Sequence, residues 1–76
     1  MLKEADYPLA GAFYRHFKGG MYVVITVAER TEEQGKFDVI YRGANGLVWS
    51  RPLREHPKGW MTLLSTGEPR FKRVMV

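Results

Sequence analysis

Two arginines stand where an apolar strand face would ordinarily carry a hydrophobic side chain. Arg15 alternates with Phe13 and Phe17, and Arg51 alternates with Leu47 and Trp49. A guanidinium is almost never fully buried unless paired, so two arrangements are open. In the first, each arginine caps a barrel mouth, its stem packed and its head in water or bridged to a carboxylate. Glu29, which continues the Val23, Ile25, Val27 face, and Glu55 are the expected partners. In the second, the planar forks line a cleft and hold a phosphate or carboxylate through paired hydrogen bonds, which Arg does better than Lys. His16 and Lys18 are expected on the opposite face with Tyr14, and Arg70 lies near the far end of the chain. Tyr22, Tyr41 and Trp49 either fill the core or make a platform beside Arg42 and Arg51 on which bases stack, each worth roughly 1–3 kcal/mol. The candidate ligand-binding set is therefore Arg15, His16, Lys18, Tyr41, Arg42, Trp49, Arg51 and Arg70.

Other chemistries have little to build on. There are two histidines, His16 and His56, and no cysteine, so neither a transition-metal site nor a cofactor is expected. The eight carboxylates show no paired arrangement for general acid–base work, and Ser50 and Ser65 have no glycine-flanked elbow. Gly19-Gly20 and Gly43 to Gly46 read as hairpin turns rather than phosphate cradles. No catalytic residue is assigned, and enzyme activity is the least favoured class.

Length and charge narrow the field further. Seventy-six residues make one small domain with a thin core, of stability about 4–10 kcal/mol. Twelve Lys and Arg against eight Asp and Glu leave +4, which favours an anionic partner. The excess is segregated: Glu29 to Lys36 is net acidic, whereas Arg15 to Lys18, Arg51 to Lys58 and Arg70 to Arg73 are net basic. The longest apolar run, Tyr22 to Ala28, is far shorter than the roughly 20 residues of a membrane helix. With no signal-peptide pattern at the amino end, the expectation is a cytoplasmic protein without a membrane partner.

The elements that must position these residues are strands. Residues 1–12 lack periodicity and are expected to be a partly ordered segment ahead of a single domain over 13–76. Phe13 to Lys18 alternates with period two, Gly19-Gly20 offers a tight turn, and Met21 to Arg30 is rich in β-branched residues. A polar loop, Thr31 to Gly35, precedes a strand over Lys36 to Arg42 whose Phe37, Val39 and Tyr41 share a face. Gly43 to Gly46 supplies a second turn, and Leu47 to Arg51 a short strand stopped by Pro52. Leu53 to Gly59 reads as irregular, Trp60 to Leu64 as either strand or helical turn, and Arg70 to Val76 as a last strand. The expected fold is all-β: a small, strongly bent, five-stranded antiparallel barrel, SH3-like first and oligonucleotide-binding-type (OB-like) second.

Four pieces in order carry a family resemblance. They are Tyr14-Arg15-His16-Phe17-Lys18-Gly19 with Tyr22 and Val24, then Val39-Ile40-Tyr41-Arg42, then Leu47-Val48-Trp49-Ser50-Arg51-Pro52-Leu53, and Pro69-Arg70-Phe71-Lys72. Over about residues 13 to 73 the chain resembles the small bacterial and phage proteins of domain of unknown function 1653. It departs after Leu53, where the family tends to an aromatic and acidic residues and this chain has Arg54-Glu55-His56-Pro57-Lys58. The resemblance implies an all-β, one-domain fold and supplies no activity. The leading expectation is thus a binding module that contacts nucleic acid or another polyanion through a basic, aromatic-bearing face. The alternatives are a protein or peptide partner gripped around Trp49, Tyr41 and Trp60, and a small anion held between Arg15 and Arg51. Monomer and homodimer are both open.

Overall fold

The computed structural model describes residues 7–75. It contains β1 (Phe13–His16), β2 (Met21–Glu29), β3 (Phe37–Gly43), β4 (Val48–Pro52) and β5 (Phe71–Val74). They form one antiparallel sheet in the order β4-β3-β2-β1-β5. The described residues contain no helix, and so none long and apolar enough to cross a membrane. The all-β expectation holds, but the barrel is open, because β4 and β5 are edges that share no ladder. The sheet is nonetheless strongly curled. Strands three positions apart in a flat sheet lie about 14 Å from each other, yet the Tyr41 ring on β3 sits 6.1 Å from Phe71 on β5. Across the two edges, Arg51 on β4 places its guanidinium 5.2 Å from the Phe71 ring.

The turns follow local sequence closely. Gly19, at φ +104°, closes β1 onto β2, and Gly46, at φ +83°, closes β3 onto β4. Both positions need a left-handed backbone that a side chain would strain. Residues 60–64 are neither strand nor helix; they are a turn followed by one bridge, Leu63 to Pro69. Trp60 is fixed there by its N–H donating to Pro52 O (2.8 Å) and by Met61 N–H donating to Leu53 O (2.8 Å).

The inner face of β1 is the reverse of the one the alternation suggests. Tyr14 is fully buried, while Phe13 and Phe17 are 43% and 46% exposed. The cause is long-range. The Tyr14 ring meets Trp60 edge to face at 5.3 Å, and its hydroxyl donates to Tyr7 O (3.0 Å) and accepts from Leu9 N–H (2.8 Å). A buried phenol with both hydrogen-bonding roles filled and a ring to pack on is favoured over a phenylalanine there. β2 departs for a different reason. Tyr22 and Val24 face inward in its first half, and a bulge between Val24 and Thr26 then brings Val27 into phase opposite Val39. The extra residue is Ile25, which is left exposed.

The core consists of Tyr14, Val24, Val39, Tyr41, Leu53, Trp60 and Phe71. Trp60 plugs the curl, stacked on Phe71 at 3.7 Å with parallel rings and edge-on to Tyr41 at 5.1 Å. Of the amino-terminal segment expected to be loose, residues 1–6 lie outside the described residues. Residues 7–12 are tied to the sheet: Pro8 is buried and Gly11 N–H donates to Val24 O (2.8 Å).

Candidate functional site

β4 carries Arg51 on the inner face, paired across strands with the buried Val39 and two residues from Trp49. Its Nε donates to the Tyr41 hydroxyl (3.4 Å), one terminal nitrogen donates to Lys58 O (2.7 Å), and the fork lies against the Phe71 ring, a cation–π contact. Arg70, just before β5, is built the same way. It donates to the Thr62 hydroxyl (3.2 Å) and to Pro57 O (3.0 Å), over the Phe17 ring at 5.4 Å. Neither arginine meets a carboxylate among the described residues. Among the described residues Arg15 meets none either, so the ion pairs expected from Arg15 and Arg51 to Glu29 and Glu55 are overturned. Glu29 instead accepts from Gly35 N–H (2.9 Å), and Glu55 accepts from Arg30 (2.7 Å) and Lys36 (3.2 Å).

His16 lies in the field of both arginines. Its ring contacts Phe71 at 4.9 Å and Tyr22 at 6.4 Å, on the inner face rather than the outer one that strand alternation suggests. Lys18 N–H donates to His16 Nδ1 (3.1 Å), which places the neutral ring's proton on Nε2. Burial, and then the charges of Arg51, Arg70 and Lys18, push the imidazole below its ordinary pKa. Glu68, the carboxylate nearest in sequence to Arg70, is held by Lys72 at 2.8 Å.

The remaining expected residues divide. Tyr41 is core, with its hydroxyl supporting Arg51; Trp49, opposite it, is 48% exposed on the inner face. Beside Trp49 lies a hollow of about 360 Å³ between the two hairpin turns, lined by Tyr22, Tyr41, Trp49 and Asn45 among others. Lys18 lies in the first turn, its ammonium 5.7 Å from the Phe17 ring. Arg15 and Arg42 do not join the cluster. Arg15 is exposed on the outer face opposite Met21 and Lys72, and Arg42 is exposed there opposite Val23 and Val48. The anion site between Arg15 and Arg51 is thus overturned, because the two point from opposite faces. Asn45 and the acceptors that hold the arginines, Pro57 O, Lys58 O and Thr62, were not foreseen from the sequence. Asn45 is locally legible only as a turn residue, and nothing local signals the three acceptors, since they depend on the path of an irregular loop.

Together these features define a small, open, all-β single-sheet protein whose inner face ends in a basic and aromatic cluster. The chain belongs to the family described as "Protein of unknown function (DUF1653)", whose model matches residues 12–73. No curated protein and no solved structure matches it.

Proposed function

We propose that the protein is a binding module that holds nucleic acid, in single-stranded form, or another polyanion at the Arg51, His16, Arg70 end of its sheet. One observation carries this reading. Both guanidinium groups are anchored by neutral carbonyls and hydroxyls, so they are positioned without being neutralised. A phosphate arriving there finds ordered donors and an uncancelled positive field. The exposed Trp49 next to Arg51 adds a ring for a base.

The peptide-cleft alternative has less to offer at this place. Trp60 and Tyr41 are committed to the core, which leaves Trp49 alone of the three. We also read the curled sheet, with β5 returned beside β1 and a bulged β2 shared across the bend, as an opened SH3-like arrangement. The proposed compartment is the cytoplasm.

The test is a titration of short single- and double-stranded DNA and RNA by fluorescence anisotropy at about 50 mM salt, repeated at rising salt. Single strands should bind best. With two or three charges contacting phosphate, the slope of log K against log salt should be about −1.4 to −2. Absence of binding, or binding indifferent to salt, overturns the reading.

A further inference from the structure

The hollow beside Trp49 is shaped by glycines. A Cβ on Gly43 would fall 3.2 Å from the Tyr22 ring and 3.2 Å from Asn45 Oδ1, and a Cβ on Gly20 would fall 2.8 Å from the Tyr22 hydroxyl. A side chain at either position would displace the Tyr22 ring, which lies across Gly43 and edge-on to Tyr41 at 5.3 Å. The result is an open recess with Tyr22 on one side and Trp49 on the other, and its volume falls within the small-molecule range of about 300–1,000 Å³.

Resting on the reading above, we infer that this recess is the seat of one nucleobase of the bound strand, stacked on Trp49, with its phosphate on Arg51. Three features support that occupant. Trp49 and Arg51 are two residues apart on one face of β4, so a stacking surface and a phosphate donor lie about 7 Å apart, with room for a sugar between them. Asn45 accepts from Leu47 N–H (3.0 Å) through Oδ1, which fixes its amide and leaves the NH₂ to donate to an acceptor on the base edge. Arg70 extends the positive charge from Arg51, and both act on the neutral His16 ring, which contacts Tyr22 at the margin of the recess. A paired base has both faces stacked and cannot enter such a recess, so the seat selects single strands.

The probes are an oligothymidylate of eight nucleotides, an abasic strand of the same length and inorganic polyphosphate, each titrated against the full chain at about 50 mM salt. The oligothymidylate should bind roughly tenfold more tightly than the abasic strand, as expected for one base stacked on an aromatic ring. Trp49→Ala should erase that difference, and Trp49→Phe should restore most of it. Circular dichroism of each variant checks that the half-exposed position is neutral to folding. Equal affinity for the base-bearing and abasic strands, unchanged by Trp49→Ala, overturns the base seat while leaving the polyanion reading intact. Failure of all three probes to bind overturns both.

Discussion

Arg30 and Arg51 stitch neighbouring regions of the same sheet, their partners Asp38 and Val39 adjacent on β3, with opposite electrostatic outcomes. At one, Arg30 donates through Nε and a terminal nitrogen to Asp38 (2.9 and 2.8 Å) and to Glu55 (2.7 Å), and Lys36 donates to Glu55 (3.2 Å). At the other, Arg51 and Arg70 do comparable stitching with carbonyls and hydroxyls as acceptors. The titrating neighbours register the difference. Hydrogen bonds from Arg30 hold the Asp38 and Glu55 carboxyls below their ordinary range and raise Arg30 itself. Among the described residues no carboxylate compensates Arg51 and Arg70, and His16 is pushed down instead. Ionic stitching cancels charge, whereas stitching to neutral groups preserves it for something outside the chain.

The largest expected effect comes from the ring beneath the basic end. Trp60→Ala should cost about 3–5 kcal/mol, because it removes the plug stacked on Phe71 and leaves a cavity among Tyr14 and Tyr41. For a domain of about 4–10 kcal/mol that is roughly a third of the stability or more, and the urea midpoint should fall in proportion. A loss below about 1 kcal/mol would mean that Trp60 is not what holds the curl.

The comparison itself breaks or survives on Arg51→Gln against Arg30→Gln. The first should lower affinity for single strands roughly tenfold or more, as expected from losing a charge-assisted hydrogen bond, with a small change in urea midpoint. The second should lower the midpoint and leave affinity within about twofold, since Arg30 sits among carboxylates. If the two variants exchange these signatures, the division of labour between the two clusters is wrong.

Much of this arrangement is legible in the sequence, and the parts that are not share a cause. The strands and both hairpins follow from alternation and from Gly19, Gly20, Asn45 and Gly46, which act within a few residues. The charge segregation is legible too, since the acidic stretch from Glu29 to Lys36 contains part of the Arg30 cluster. The facing of β1 is not. Both parities carry aromatics, and the choice falls to Trp60, 46 residues on, which packs Tyr14. The bulge at Ile25 hides for the same kind of reason: an uninterrupted β-branched run has no local mark where its phase slips. The facing of β1 alone decides that Arg15 points outward and His16 inward, the opposite of what alternation with Phe13 and Phe17 suggests.

pH offers a finer cut between the two clusters, because stability and binding should move in opposite directions. His16 has a lowered pKa in the folded chain and an ordinary value near 6.5 unfolded. Between those values the unfolded state binds more protons, so stability contributed by neutral His16 is full above about pH 6.5 and declines as pH falls. Asp38 and Glu55 add a second decline at lower pH, below their unfolded values near 4, as the carboxylates protonate and release Arg30. A bound polyanion favours the imidazolium, so affinity should rise a few-fold from about pH 7.5 to 6 while stability falls. His16→Gln should remove the upper decline and the affinity rise together, and Arg30→Gln should blunt only the lower one. Affinity that falls on acidification through this window would place His16 outside the site.

The smallest expected effect is also the sharpest check on the facing of β1. Arg15→Gln and Arg42→Gln remove as much formal charge as Arg51→Gln, from positions that the fold turns to the outer face. At about 50 mM salt the screening length is on the order of 14 Å, so charges on that face reach the site only through a weakened field. Each variant should therefore change single-strand affinity by less than about twofold, and that change should vanish by about 0.3 M salt, where the screening length is roughly halved. The Arg51→Gln deficit should persist, because it removes a directed donor as well as a charge. Equal losses from all three arginines at both salt concentrations would mean that net charge, not the built end of the sheet, governs binding.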